Sequence, residues 1–435
     1  MGTTSDDLLT VVNERWSVHH GDCLEWLRTL PDNYADAMVT DPPAGIGFMG
    51  KDWDRNRGGR AQWIAWLAEI MAEARRVLKP GAHAFVWALP RTAHWTATGV
   101  EDGGFEVREK HYHLFGSGFP KSLNVSKAID AYMGTDRAGR NWEGYGTATK
   151  PAAEEWILAR IPLDGTVAEN VLRNGCGGVN VDGCRLHGND NPIRFETPRG
   201  GIWSTDSTAV AEAGEDTRGR WPPNVYLTHS AACDDECASD CPIRAIDEQS
   251  GDRPGMSGGG KHRDGYASGM FGAIDAPHLA RGDSGGASRF FHRFTYAAKP
   301  SRGEREAGCA HIEPVTSAEA TGSKERQKRL DNPRTGAGRS AGEVCNNHPT
   351  VKGDDLMRVL CRLITPPDGL IIDPFTGSGS TGRAAMLEGF RFAGCELDER
   401  FVQIARARIA HVIGWESSPH EAPSAQEEKQ RRLFG

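Results

Sequence analysis

The stretch Leu370-Ile371-Ile372-Asp373-Pro374-Phe375-Thr376-Gly377-Ser378-Gly379-Ser380-Thr381 decides the fold. An apolar strand runs into a glycine turn, and the turn opens a helix over Thr381 to Leu387. That order lets backbone approach a nucleotide-like ligand closely. A glycine turn alone is common. Here the next strand, Phe392 to Glu396, ends on an acid 19 residues beyond Gly377. The spacing is close to the roughly 20 expected of a carboxylate that holds ribose hydroxyls. Turn and acid together mark a nucleoside-cofactor site. A helix over Arg400 to Ile409 follows.

The other end of the chain repeats this style. Trp16 to His19 and Ala35 to Thr40 read as short buried strands with a helix, Cys23 to Leu30, between them. Gln62 to Leu78 is a longer amphipathic helix stopped by Pro80-Gly81, and Ala82 to Leu89 is a third strand. Such alternation predicts a parallel sheet with helices on both faces. From about Asn124 to Asn347 the rhythm gives way to sequence rich in Gly, Ser, Asp and Arg, as in Gly251 to Lys261 and Gly282 to Ser288. That is too long for one structureless loop, so a smaller module is expected inside it. The expected division is 1–123 and 346–414 as the two parts of one core, 124–345 as an insertion and 415–435 as a disordered tail.

Composition bounds the function. At 435 residues, with 38% hydrophobic and 25% charged residues, the chain is ordinary for a soluble protein of more than one module. No basic, apolar leader stands at Met1 to Glu14 and no apolar run reaches the roughly 18 residues that span a bilayer, so a cytoplasmic protein is expected. The 10 cysteines are then expected to be free or metal-bound rather than paired. A net charge of −8 argues against a nucleic-acid partner held by bulk attraction. It leaves room for a local basic path. Arg289 to Glu343 holds such an excess, including Lys324-Glu325-Arg326-Gln327-Lys328-Arg329, although a solvated loop reads the same way.

A second loop carries chemistry. Ala37-Met38-Val39-Thr40 runs into Asp41-Pro42-Pro43-Ala44-Gly45. Successive prolines fix φ and supply carbonyls without competing donors, so Asp41 and the Pro42 carbonyl are both able to accept from one NH2 group. An amino group conjugated to a base ring is a poor nucleophile. Two placed acceptors localise its lone pair and aim it at an electrophile. Alone, the tetrapeptide reads equally as a turn that ends a strand.

The pair of loops resembles the amino-directed DNA methyltransferases of the N6-adenine and N4-cytosine type. The order, catalytic loop first and cofactor loop near the C-terminus, looks like their permuted β class. Matches include His20-Gly21-Asp22, Gly116-Ser117-Gly118-Phe119-Pro120-Lys121-Ser122 and His348-Pro349-Thr350-Val351-Lys352, and the resemblance covers about Trp16 to Ser122 and His348 to Ile409. It implies an α/β, Rossmann-like S-adenosylmethionine-dependent methyltransferase fold with permuted motif order and a large central insertion. It also implies that Asp41, Pro42, Pro43 and Ala44 form the catalytic loop. Asp373, Phe375, Gly377, Ser378, Gly379 and Thr381 would line the cofactor, Glu396 would hold its ribose and Asp22 would lie near its adenine. His348, Thr350 and Lys352 would close the site. Asp22 as a plain helix cap and Phe375 as plain core stay open.

One position departs from the family. The residue after the two prolines is normally an aromatic that stacks on the flipped base, and here it is Ala44. Phe48, Trp53 and Phe119 are candidates to supply a ring. The Asp-first loop favours adenine over cytosine. The resemblance implies double-stranded DNA as partner, site-specific modification of the kind paired with restriction, a bacterial or phage-infected cell, and room for a homodimer.

The insertion is expected to recognise the target. Arg289, Arg293, Lys299, Arg302 and Arg305 are candidate DNA contacts, with Phe290, Phe291, Phe294 and Tyr296 interleaved; the same alternation describes a half-buried strand. His229, Cys233, Cys237 and Cys241 fall at intervals of four and invite zinc. On one continuous helix they cannot share an ion, so the stretch must bend, with Pro242 helping. The tail Gln430-Arg431-Arg432-Leu433-Phe434 looks like the Q-x-x-L-F peptide that docks on bacterial sliding clamps.

Overall fold

The computed structural model describes residues 15–47, 54–55, 57–116, 118, 122–186, 193–195, 214–216, 219–230, 232–233, 236–254, 284–294, 302–316 and 343–416. Among them a nine-stranded sheet forms the centre. Its strands in chain order are β1 (Trp16–His20), β2 (Ala35–Thr40), β3 (Leu78–Ala88), β4 (Glu106–Leu114), β5 (Ala153–Arg160), β6 (Val225–Thr228), β7 (His292–Phe294), β8 (Leu370–Asp373) and β9 (Arg391–Glu396). In space they run β1-β9-β8-β2-β3-β5-β4-β6-β7. Helices α1 (Cys23–Thr29), α2 (Arg60–Val77), α3 (Pro242–Ser250), α4 (Asp354–Ile364), α5 (Ser380–Leu387) and α6 (Glu399–Glu416) are those that bear on the site.

The central strands are covered on both faces. All six residues of β2 and all four of β8 are buried, and their near-continuous apolar runs follow from that. Alternate side chains go to opposite layers. Met38, Ala84, Val86 and Ile372 pack with Trp63, Ile64 and Leu67 of α2. Val39, Phe85 and Ile371 pack with Leu360 of α4, Ala384 of α5 and Ala405 and Ile409 of α6. The apolar stripe of α2, from Trp63 through Leu67, Ile70, Met71 and Ala74 to Val77, keeps the 3.6-residue period that buries one face. Asp22 caps α1, its carboxylate accepting from Leu24 N at 2.9 Å and Glu25 N at 3.1 Å.

Three expectations need correction. The sheet is not wholly parallel, because β5 runs against both of its neighbours, β3 and β4. Pro80-Gly81 does not end an element; β3 starts at Leu78 and carries the pair through a register shift opposite Ala35 and Ala37. A bulge accommodates the proline that a regular ladder would exclude. Finally, the division after residue 123 does not follow the sheet. β5, β6 and β7 all come from the expected insertion, yet they complete the central sheet. Trp156, Ile157 and Ala159 of β5 are fully buried between β3 and β4. Helix α6 reaches Glu416, past the expected start of the tail. Lys299, Tyr296, the cluster Lys324 to Arg329, most of the Gly-rich stretches and the clamp-like tail lie outside the described residues.

Candidate active site

The crossovers fix where a ligand fits. From β8 the chain turns through α5 to β9 on one side, and from β2 it turns through α2 to β3 on the other. β8 and β2 are neighbours, paired in parallel at Ile371↔Ala37 and Ile372↔Met38. A crevice therefore opens beyond their carboxyl ends, at the topological switch point. The two loops singled out by sequence both start there. They are joined by Thr40, whose hydroxyl donates to Asp373 Oδ1 at 2.7 Å.

On the β8 side, the glycine turn is held from every direction. Gly377 and Gly379 adopt φ of 54° and 78°, conformations that L side chains rarely take. A Cβ on Gly377 would stand 2.8 Å from His348 Nε2, and one on Gly379 would meet the Ala405 backbone at 3.0 Å. The Gly377 N–H donates to Glu396 Oε2 at 2.8 Å and the Gly379 N–H to the Thr376 carbonyl at 2.9 Å. Arg408, fully buried on α6, donates to the Ser378 carbonyl at 2.6 Å. Phe375 N donates to Asp373 Oδ1 at 3.1 Å. The Phe375 ring is half-buried against Trp66, 5.8 Å between centroids.

Gly382 completes the G-x-G-x-x-G spacing begun by Gly377 and Gly379, so the glycines alone do not set this turn apart from a dinucleotide site. The hydrogen bonds do. Two of the N–H groups that would meet a phosphate are already spent on Glu396 and Thr376, and Asp373 and Glu396 make the surroundings acidic. Burial lifts the Asp373 carboxyl to about 6, against hydrogen bonds from Thr40 and Thr381 that lower it. Burial lifts Glu396 to about 7, against N–H donation from Asp398 and Gly377. Such a crevice suits a nucleoside carrying positive charge better than one carrying phosphate.

On the β2 side, Asp41 faces Lys352, whose Nζ lies 3.4 Å from Asp41 Oδ2 and 3.7 Å from Glu154 Oε2. The same ammonium sits over the Trp87 ring, 4.2 Å from its centroid. Burial raises the Asp41 carboxyl to about 6; Lys352 works against this and Glu154 adds to it. Burial also acts to raise Glu154, but the charge of Lys352 and the nearby His113 hold it down at about 2. The His113 ring in turn meets the Thr228 hydroxyl at the end of β6. Ala44 is half-buried, and its carbonyl accepts from Thr92 Oγ1 at 3.3 Å.

Asp54 pins the loop beyond Ala44. Its carboxylate accepts from Gly45 N at 2.7 Å and Ile46 N at 3.3 Å. Gly45 has φ of 71°, and a Cβ there would stand 2.4 Å from the buried Trp63 indole. Gly45→Ala is therefore expected to cost about 2 kcal/mol or more and to displace Asp41 with the loop; thermal unfolding and turnover measured together check this.

The expected residues fall as follows. Asp22, at the end of β1, lies beside β9, where His20 pairs with Glu396. His348 packs its ring on Phe401 at 4.6 Å, and burial together with Arg408, Arg305 and Lys352 lowers its pKa to about 3. Thr350 is exposed, its N–H donating to His348 Nδ1 at 3.4 Å. Thr381 Oγ1 donates to the Val39 carbonyl at 3.3 Å, another tie between the two loops. Phe48, Trp53 and Phe119 lie outside the described residues. Arg302 and Arg305 are engaged internally, donating to the carbonyls of Glu343 and His348, each at 2.9 Å. Arg289 donates to the Gly286 carbonyl at 2.9 Å. Arg293 is exposed on β7. Of the interleaved aromatics, Phe294 lies on the strand β7, where it is buried and stacks on Tyr226, 5.8 Å between centroids. Glu154, Asp54 and Arg408 carried no local signal in the sequence.

Parts of the chain are similar to known proteins. A family model described as DNA methylase, of the N6/N4 type, matches residues 204–407. The type II methyltransferase M.BglII of Bacillus subtilis is 34% identical over 90 residues, 21% of this chain and 22% of that one. The DNA adenine methyltransferase YhdJ of Escherichia coli (strain K12) is 32% identical over 63 residues, 14% of this chain and 21% of that one. The chain thus spans about a fifth of the length of these curated relatives. Among solved structures, the cytosine-N4-specific PvuII DNA methyltransferase aligns with a TM-score of 0.43 and 12% identity, over 97% of this chain and 92% of that one. The segment that matches the N6/N4 DNA methylase model covers 204 of the 435 residues and includes the Asp373 loop, so over that part the chain is similar to this family.

Proposed function

We propose that the chain transfers a methyl group from S-adenosylmethionine to the exocyclic amino group of a base flipped out of double-stranded DNA, with N6 of adenine as the target. The observation that carries this reading is the meeting of the Asp41 loop and the Asp373 loop, tied by the 2.7 Å hydrogen bond from Thr40 to Asp373. When bound, the cofactor supplies an electrophilic methyl on a sulfonium. Asp373, Phe375, Gly377, Ser378, Gly379 and Thr381 shape its seat, Glu396 takes its ribose, and His348, Thr350 and Lys352 close over it. Asp41 and the Pro42 carbonyl accept from the target NH2, orienting its lone pair. Asp22 stays a helix cap while lying at the edge of the adenine end. The Asp-first loop supports adenine over cytosine, and similarity to an adenine methyltransferase is in keeping with that. The order of the two loops supports the β class and DNA over RNA or protein amide. Intact Asp41, Asp373 and Glu396 support an active enzyme rather than an inert DNA-binding homologue.

Radiolabelled methyl transfer to duplex DNA, RNA and protein, run side by side, tests this reading. Label entering RNA or protein in preference to DNA would overturn it. Methylation-sensitive sequencing of DNA from expressing cells then gives base and site together. Arg293, exposed on β7, is a described candidate for phosphate contact. Arg293→Ala is expected to weaken DNA binding uniformly across sequences and to flatten the log–log salt dependence by about one charge, as read by titration at several salt concentrations. The tail Gln430 to Phe434 supports docking on a sliding clamp; removal of the last six residues should abolish that binding.

A further inference from the structure

We propose that His229, Cys233, Cys237 and Cys241 form a closed, structural zinc site that fastens the outer edge of the sheet. The donor atoms of all four lie within 4.8 Å of one another. His229 Nδ1 stands 3.4 Å from Cys237 Sγ and 3.6 Å from Cys241 Sγ. A tetrahedral ion with Zn–S of about 2.3 Å and Zn–N of about 2.0 Å requires nitrogen–sulfur separations of roughly 3.5 Å. The described side chains already stand at that separation.

The backbone explains how intervals of four converge without a helix. His229 directly follows β6, and its N–H donates to the Phe294 carbonyl of β7 at 2.9 Å. The Cys233 N–H closes a turn onto the Ser230 carbonyl at 3.1 Å, and the Cys241 N–H closes another onto Ala238 at 3.0 Å. Cys241 then caps α3, with Pro242 in its first turn. The ligands thus come from a strand end, two turns and a helix start, so the bend required of this stretch is present. The Ala238 N–H donates to Cys233 Sγ at 3.3 Å, and Arg244 holds the Cys237 carbonyl at 3.2 Å.

Simple packing of reduced thiols accounts for this less well. A single imidazole nitrogen faces two thiols, and it accepts a proton from only one of them. A divalent zinc ion satisfies all four donors together, with release of the thiol protons. Three sulfurs and one nitrogen fill the tetrahedron, which leaves no position for substrate and makes the site structural. Its place gives it a consequence. It joins β6, β7 and α3, and Thr228, next to His229, meets the His113 ring that faces Glu154. The site anchors the part of the sheet that carries Arg293.

Metal analysis of the full chain, purified without a metal-affinity step, tests this. About one zinc per chain is expected in the wild type, with loss in Cys237→Ser and in Cys241→Ser and retention in Cys345→Ser, a half-buried cysteine elsewhere. Cobalt replacing zinc should give the strong visible absorption of a thiolate-rich tetrahedral centre, absent from Cys237→Ser. Chelation should lower the unfolding temperature of the wild type alone. If the serine variants do not fold, the wild-type zinc content and cobalt spectrum decide. A wild type with less than about a tenth of a zinc per chain and no cobalt spectrum would overturn the proposal, as would a disulfide among these cysteines. Neither outcome bears on methyl transfer, which is assayed separately.

Discussion

Asp41→Ala is expected to lower the methyl-transfer rate about a thousandfold or more, the scale on which loss of one placed polar group from a reacting centre is felt. Cofactor affinity should change by less than about tenfold, because the glycine turn, Glu396 and the His348 segment are untouched. The carboxylate is placed for this by β2, which delivers it to the switch point, and by Lys352, which reaches Oδ2 at 3.4 Å. Asp41→Asn keeps an acceptor without the charge and should fall between wild type and alanine. The measurements are single-turnover transfer at saturating cofactor and direct titration of cofactor binding, with thermal unfolding as a check on the fold. Normal turnover in the alanine variant would remove the catalytic assignment. Loss of cofactor binding to the same degree as loss of rate would move Asp41 from chemistry to binding.

The dependence on pH is the second large effect, and its sign follows from the charges around Asp41. Burial places its carboxyl at about 6, with Lys352 holding it down and Glu154 pushing it up. In the proposed role, acceptance from a target amino group needs the ionised form. Activity should therefore be low below pH ~5, rise with a midpoint of about 6 and level off above pH ~7. Lys352→Met removes the cation, so the midpoint moves to higher pH. Glu154→Gln removes the anion that opposes ionisation and leaves Lys352 to Asp41 alone, so the midpoint moves to lower pH. Profiles of kcat at saturating cofactor check both. Opposite shifts are not what a general loosening of the site would produce, and equal or absent shifts would exclude Asp41 as the titrating group.

Much of this architecture was legible locally. The runs Ala35 to Thr40 and Leu370 to Ile372 announced strands because central strands are buried on both faces and need only apolar residues. The α2 stripe announced a helix through its period. The glycine turn was legible because positive φ and close packing leave few alternatives to Gly377 and Gly379. β5 was missed for the opposite reason. Glu154 to Arg160 carries no turn signal that distinguishes a reversed central strand from a segment of an insertion, and the glycine-rich surroundings suggested the latter. Arg302 and Arg305, read as contacts for DNA, are clamps on carbonyls, since an arginine in sequence looks the same whether it meets phosphate or its own backbone.

The sequence by itself determined strands β1, β2, β8 and β9 and helices α1, α2, α5 and α6, whose signals depend on residues a few places apart. Only the tertiary structure decided what the two loops meet. Thr40 and Asp373 are 333 residues apart and hydrogen-bonded. Glu154 reaches Lys352 because β5 enters the sheet reversed, with its first residues at the end where β2 and β3 finish. His229 and the three cysteines converge because two turns break a spacing that a helix would have spread around its axis. The physical reason is common to all three. Periodicity and turn propensity act within a few residues and say which faces must be buried, whereas the choice of partner across hundreds of residues is made by the packing of the whole sheet.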